Sequence, residues 1–344
     1  MKLASVEIIT EITNHPNADR LSLAKVLGYT CIVVKDEFKV GDAVVLIQPD
    51  TVLPDKPWAE MFKKRGTRVK AMKLRGVFSF GIVMSPYTVF AEDIGRLKFF
   101  LMPSEIGNDI SEHIGVTKYE APLPQSQDAK GNLPLGLVKT DEERYQNFAD
   151  LPFGEEVDIT LKIDGQSATY FCKRVDPNLT GGDYGMYWNT QTGICSRSLE
   201  LKPDCHNNYT AIEKKYDILR KLEAYCLEHN VSLALRGEVF GKGIQSFNHN
   251  PHSKLPLDFA CFSVFNFDTN EYENKGSKHY YLNVASALGL PVVDQIGSFK
   301  LGPDVIKHFA EDISELNGKP FEGVVIKHSK GSFKVINLAY DEKK

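Results

Sequence analysis

Glu156-Val157-Asp158-Ile159-Thr160-Leu161-Lys162-Ile163-Asp164-Gly165-Gln166-Ser167 is the stretch on which both fold and chemistry turn. Val157, Ile159 and Leu161 alternate with polar residues, the period of a half-buried strand. Lys162 stands where that strand gives way to Asp164-Gly165, a turn dipeptide. Residues 168–173 alternate again, so the two runs are expected to form a hairpin. Lys-x-Asp-Gly alone is four residues that chance supplies in many chains, and its ordinary meaning is an exposed hairpin lysine.

Downstream, residues 187–197 are expected as a strand and residues 209–229 as one helix, with Ile212, Tyr216, Leu219, Leu222 and Cys226 on its buried face. Residues 231–239 and 259–267 have the apolar continuity of buried strands. Residues 278–288 and 303–316 fit helices, and 323–327 and 333–336 fit short closing strands. This pattern predicts an α+β unit of mostly antiparallel sheet with flanking helices. Polar residues stand at the ends of its apolar strands: Lys162 and Asp164, Arg197, Glu238, Glu322, Lys327 and Lys334.

Upstream, short apolar runs at 6–9, 23–27, 31–34, 43–47 and 81–84 lie between Gly, Asn, Asp and Pro signals, which favours a small β-barrel. Lys63, Lys64, Arg65, Arg68, Lys70, Lys73 and Arg75 follow one another with no acid among them. A solvated loop is the ordinary meaning of such a run, and phosphate is its natural partner if it binds anything. Trp58 and Phe62 just before it are expected as core. Residues 118–138 have the Pro and Gly density of a linker or exposed loop, and the domain boundary is placed near 110, giving domains 1–110 and 111–344. Thr140 with Glu143 forms a capping box for a short helix running to Asp150.

The chain of 344 residues is long enough for two cores. Hydrophobic content of 42% and charged content of 25% are ordinary for a globular protein, and a net charge of -4 confines any polyanion contact to a local patch. Six cysteines without a C-x-x-C pair suit a reducing compartment and give no zinc site. With no signal-peptide pattern and no membrane-length apolar run, a cytoplasmic monomer with no membrane contact is expected.

Six segments taken together resemble the covalent nucleotidyltransferase superfamily of ATP-dependent ligases and mRNA capping enzymes. Lys162-Ile163-Asp164-Gly165 is similar to its motif I and Ser196-Arg197-Ser198 to motif Ia. Arg236-Gly237-Glu238 is similar to motif III and Phe262-Ser263-Val264-Phe265-Asn266 to motif IIIa. Glu322-Gly323-Val324-Val325-Ile326-Lys327 is similar to motif IV and Ser332-Phe333-Lys334-Val335-Ile336 to motif V. The segments 15–21 and 74–81 resemble OB domains that bind tRNA in some synthetases and their cofactors. An OB-type barrel ahead of a nucleotidyltransferase (ATP-grasp-like ligase) domain, with no domain expected after motif V, looks like the fifth RNA ligase family.

The resemblance implies ATP and Mg²⁺ or Mn²⁺ as cofactors. It implies Lys162 as the nucleophile that becomes lysyl-AMP, and Asp164 and Glu322 holding the metal through water. Glu238 would bind the ribose, Phe265 or Phe262 would stack on adenine, Lys327 and Lys334 would hold the α-phosphate, and Arg197 would touch the strand near the junction. Motif V often carries a second lysine where this chain has Ile336. The implied substrate is RNA or an RNA/DNA duplex with a 5′-phosphate and a 3′-OH, gripped by the basic segment. A capping-type guanylyltransferase, a DNA ligase and an inactive RNA-binding relative remain alternatives.

A lysine of ordinary pKa is about one part in a thousand neutral near pH 7.5, so a nucleophilic Lys162 needs its pKa lowered by about two to three pH units. Lys327, Lys334 and a divalent cation are the candidate sources. Without the cation, Asp164 would act in the wrong direction.

Overall fold

The computed structural model describes residues 2–63, 66–119, 127–139, 142–148, 150–175 and 189–341. Lys64, Arg65, Thr140 and the first residues of the strand expected at 187–197 lie outside them. The chain divides into two compact units, 1–124 with 143–151 and 125–142 with 152–344.

The first unit is built on a five-stranded antiparallel sheet in which Ala4–Asn14 is central, flanked by Leu21–Val26 and Tyr29–Val34 on one side and by Ala43–Ile47 and Ile82–Met84 on the other. The sheet nearly closes. Ile32 N–H donates to Ser79 Oγ (2.9 Å) and Phe80 N–H to the Thr30 carbonyl (2.9 Å), so the Tyr29–Val34 edge meets the chain entering Ile82–Met84. Trp58 is buried with Val6, Ile47, Met84, Phe90 and Phe100, and Phe62 packs against them. Ile110, Ile114 and Val116 belong to the same core, so its chain continues beyond residue 110. The expected helix up to Asp150 is instead one 3-10 turn at Tyr145–Asn147.

The second unit holds two antiparallel sheets. The larger runs Ala129–Asn132, Leu199–Leu201, Asn189–Cys195, Gln166–Val175, Leu233–Phe240, Asp258–Asn266, Glu271–Tyr272 in spatial order. The smaller runs Gln295–Lys300, Glu156–Lys162, Gly323–His328, Gly331–Ile336. The lysine strand and the strand after it therefore do not form the expected hairpin. Asp164-Gly165 carries the chain from one sheet into the other, because two alternating runs do not by themselves fix their partners. Gly165 permits the passage: a Cβ there would lie 2.4 Å from the Val239 carbonyl oxygen and 2.9 Å from Glu238 Cγ.

The expected helix over 209–229 is two, Asn208–Tyr216 and Ile218–His229, broken at Asp217, which takes a left-handed conformation (φ 53°). This shift of phase buries Ile218 rather than Leu219. The expected helix at 303–316 is Pro303–Lys307 followed by a π-turn at His308–Asp312 and a short strand, Glu315–Leu316. Part of the expected linker is ordered: Ala129–Asn132 is an edge strand, and Leu137 is buried against Phe171 and Phe265. All six cysteines are buried free thiols. Among the described residues no helix is long and apolar enough to cross a membrane.

Candidate active site

The smaller sheet separates its residues cleanly. Val157, Ile159 and Leu161 of the lysine strand are buried, as are Val324, Ile326, Phe333 and Val335 of its neighbours. The other face carries the polar set. Lys162 pairs with Gly323 and Gly323 with Ile336. Thr160 pairs with Val325 and Val325 with Lys334. Asp158 pairs with Lys327 and Lys327 with Ser332. Partners in register share a face, so Lys162, Lys327 and Lys334 lie on one side of three adjacent strands, around half-buried Val325. Val325 was not singled out in the sequence, where it reads as one more apolar residue of a buried strand.

Lys162 Nζ donates to Glu322 Oε2 at 2.6 Å, with the lysine side chain 26% exposed and the glutamate 11%. Glu238 comes from the larger sheet, where it pairs with Ser167. Asp164 is 5% exposed. Its carbonyl accepts from Asn250 Nδ2 (2.9 Å) and its carboxylate from the Tyr340 hydroxyl (3.2 Å). The passage between sheets thus gathers three carboxylates about one amine.

Their electrostatics follow from that imbalance. Burial opposes the charge on Lys162, but Glu322, Glu238 and Asp164 outweigh it and push the amine up to about 12. Burial pushes Glu238 up to about 8; Lys162 pulls it back, and Glu322 and Asp164 add to the rise. Lys327, a candidate source of that lowering, lies on the shared face. Lys327 Nζ donates to the Phe262 carbonyl (2.6 Å) and lies 4.3 Å from the Tyr281 ring centre, and burial holds it below the ordinary lysine range. Lys334 is buried on the shared face.

Asp164, Glu238 and Glu322 all act on Lys162, and their hard oxygen donors suit Mg²⁺ or Mn²⁺. Among the described residues no three His, Cys, Asp or Glu side chains are placed to cage a metal ion directly.

Phe265 is placed in the core rather than on an open face. It is 4% exposed, packed with Phe171, Ala234 and Leu137, and edge-on to Phe267 and Tyr272. Phe262 is half-buried at the bulge where the register shifts between Arg236 and Gly237. Arg197 is half-buried in a tight turn closed by the Ser196 N–H donating to the Leu199 carbonyl (2.9 Å).

In the first unit, His15 Nε2 donates to the Leu74 carbonyl (3.1 Å) and Asn17 Nδ2 to the Arg75 carbonyl (2.9 Å), joining the two segments that carried the OB resemblance. The basic run is divided. Lys63 is held by Asp55 (2.7 Å) and Glu60 (2.8 Å), and Arg68 by Asp50 (2.5 Å) with its guanidinium 4.1 Å from the Tyr119 ring centre. Lys70, Lys73 and Arg75 are exposed on or beside the hairpin Met72–Leu74 and Val77–Ser79. The acids that engage Lys63 and Arg68 come from outside the run, which is why the run alone did not show them.

Two family models match: an OB-fold domain over residues 3–86, and RNA ligase over residues 155–337, more than half of the chain. The chain belongs to the RNA ligase family. Among solved structures, this RNA ligase is similar to a substituted form of the Naegleria gruberi RNA ligase with ATP and Mn (TM-score 0.81, 26% identity, covering 100% of this chain and 99% of that one). It is also similar to that ligase with PPi (TM-score 0.81, 27% identity, 100% and 98% covered) and to another substituted form with AMP and Mn (TM-score 0.81, 27% identity, 100% and 99% covered). A comparison with curated proteins finds no match. The expected order, an OB-type barrel followed by a ligase unit of antiparallel sheets and helices, is the one found.

Proposed function

We propose that this RNA ligase uses ATP to charge Lys162 with AMP, passes the AMP to a 5′-phosphate, and joins that end to a 3′-OH, sealing nicks whose 3′-OH strand is RNA. The observation that carries this is the convergence of Asp164, Glu238 and Glu322 on Lys162, with Lys334 on the same sheet face. Similarity to ligase structures holding ATP, AMP, Mn and PPi supports it.

Lys162 Nζ forms a bond to the α-phosphorus, and pyrophosphate leaves with the electron pair of the broken bond. A 5′-phosphate oxygen then takes the adenylyl group, restoring the lysine. The 3′-hydroxyl finally attacks the activated 5′-phosphorus, and AMP leaves. Each step is an in-line displacement at phosphorus, so positioning and charge stabilisation carry the catalysis. Lys334 would bind the α-phosphate, Glu238 the ribose, and Arg197 the strand near the junction. Phe262 and Val325, both half-buried, offer the base an apolar surface that Phe265 does not. Asp164 and Glu322 would hold a divalent cation through water. When bound, that cation would offset the charge of the carboxylates and of the α-phosphate. Lys162 stays clamped to Glu322 until such compensation frees it to lose its proton.

The exposed cations Lys70, Lys73 and Arg75 are the RNA-gripping part of the basic run, while Lys63 and Arg68 serve the barrel's own ion pairs. Matched nicks ending in a ribose or deoxyribose 3′-OH test the substrate: ribose is expected to seal at least about tenfold faster, a discrimination that a 2′-OH contact can supply. Equal sealing would remove the RNA-nick assignment. Labelled ATP and GTP in parallel test the base, with transfer from ATP alone expected.

A further inference from the structure

After the last strand the chain turns at Asn337, which is fully buried and makes five hydrogen bonds. Its Nδ2 donates to the carbonyls of Phe309 (3.0 Å) and Ile313 (2.6 Å), its Oδ1 accepts from the Tyr340 N–H (3.2 Å), its own N–H donates to the Glu322 carbonyl (2.9 Å), and its carbonyl accepts from the Asp341 N–H (3.1 Å). These bonds set the one-turn helix Leu338–Asp341 against the site. Tyr340, 2% exposed, meets Phe247 edge-on at 5.3 Å and donates its hydroxyl to Asp164 Oδ2. The loop that supplies Phe247 also supplies Asn250, fully buried, whose Nδ2 donates to the carbonyls of Asp164 and Gln245. Asp164 is therefore held at its backbone by Asn250 and at its carboxylate by Tyr340. Neither residue lies in any of the six motif segments.

We infer that Tyr340 is a positioning residue for this ligase: its hydroxyl fixes the carboxylate plane of Asp164, so that the oxygens face the place a divalent cation takes. This rests on the proposed role of Asp164 in holding that cation. The torsion that turns an aspartate carboxylate is broad and soft, and Asp164 shares its space with two other acids. A hydrogen bond to one oxygen selects one orientation, as partners of metal-binding carboxylates commonly do. A phenol suits the task because it donates while neutral at physiological pH. A lysine or arginine in its place would compete with the cation for the carboxylate.

The test is Mn²⁺ binding to the full chain, followed by the electron paramagnetic resonance signal of free Mn²⁺, beside thermal melting and the Mg²⁺ concentration for half-maximal lysyl-AMP formation. Tyr340→Phe keeps the ring and removes only the hydroxyl. It is expected to weaken Mn²⁺ binding about tenfold and to raise the Mg²⁺ requirement similarly, with little change in melting. Phe247→Leu keeps the hydroxyl and loosens the packing, so it should lower melting with little effect on Mn²⁺. In Asp164→Asn the further change Tyr340→Phe should add nothing. If Asp164→Asn weakens Mn²⁺ binding and Tyr340→Phe does not, the positioning role is overturned and the metal assignment stands. If Asp164→Asn leaves binding unchanged, the metal assignment falls and this inference with it.

Discussion

Asp50 in the barrel and Glu238 in the ligase unit are both carboxylates drawn away from water, and they respond in opposite directions. Burial alone would raise Asp50, but Arg144 and Arg68 outweigh it and hold the acid well below the usual carboxylate range. The two arginines meet its two oxygens at 2.5 Å from Arg68 and 3.0 Å from Arg144. Glu238 has one lysine and two further acids for company and is pushed up to about 8. A balanced buried charge serves the scaffold, and an unbalanced one marks a place where a ligand completes the balance.

That contrast is sharpest in opposed effects of two truncations. Asp50→Ala removes the carboxylate that two partly buried arginines share and should cost about 3 kcal/mol of unfolding free energy in a urea titration. Glu238→Ala removes an acid from a repelling set. Its urea midpoint should stay at or above that of the parent, while lysyl-AMP formation falls at least about 100-fold, the size of loss expected when a preorganised polar group is removed. A Glu238→Ala protein as destabilised as Asp50→Ala would erase the distinction. Gly165→Ala probes the passage beside Glu238 and should cost about 2 kcal/mol of stability, since overpacking a tight site costs 1–3, with a loss of adenylylation as Glu238 is displaced.

Smaller effects belong to the barrel. Replacing Lys70, Lys73 and Arg75 by alanine should reduce the salt slope of single-strand RNA binding by about 2 and leave lysyl-AMP formation intact, whereas Lys63→Ala should change stability more than the slope. The depressed Asp50 contributes stability that is fully present above the ordinary carboxylate pKa of about 4 and is lost as pH falls below it toward the lower folded value. In Asp50→Asn the decline in stability below about pH 4 should be shallower than in the parent, measured by urea midpoints across acid pH.

Much of this was legible in the sequence, for reasons particular residues make plain. The alternation of Val157, Ile159 and Leu161 fixes which side of the strand Lys162 occupies, and the same period in 323–336 places Lys327 and Lys334 beside it. Alternation says nothing about which strand lies alongside, so the expected hairpin turned out to be a passage between two sheets. The periodicity of 209–229 continued through Asp217 because a left-handed break changes phase without leaving a Gly or Pro. Phe262 and Phe265 both fit an aromatic pattern, and only the bulge at Phe262 separates the half-buried ring from the core one. Asp50, Asp55 and Glu60 could not be matched to Arg68 and Lys63 before the barrel was folded. Tyr340 carried no signal at all, since a lone tyrosine after the last strand is an ordinary core residue.

The central claim is that Lys162 is the residue the site is built to charge with AMP. Intact-mass analysis and peptide mapping after incubation with ATP and Mg²⁺ test it directly. One AMP adduct is expected, on the peptide containing Lys162 and absent from Lys162→Ala. An adduct that persists in Lys162→Ala, or that maps to another residue in the parent, would contradict it.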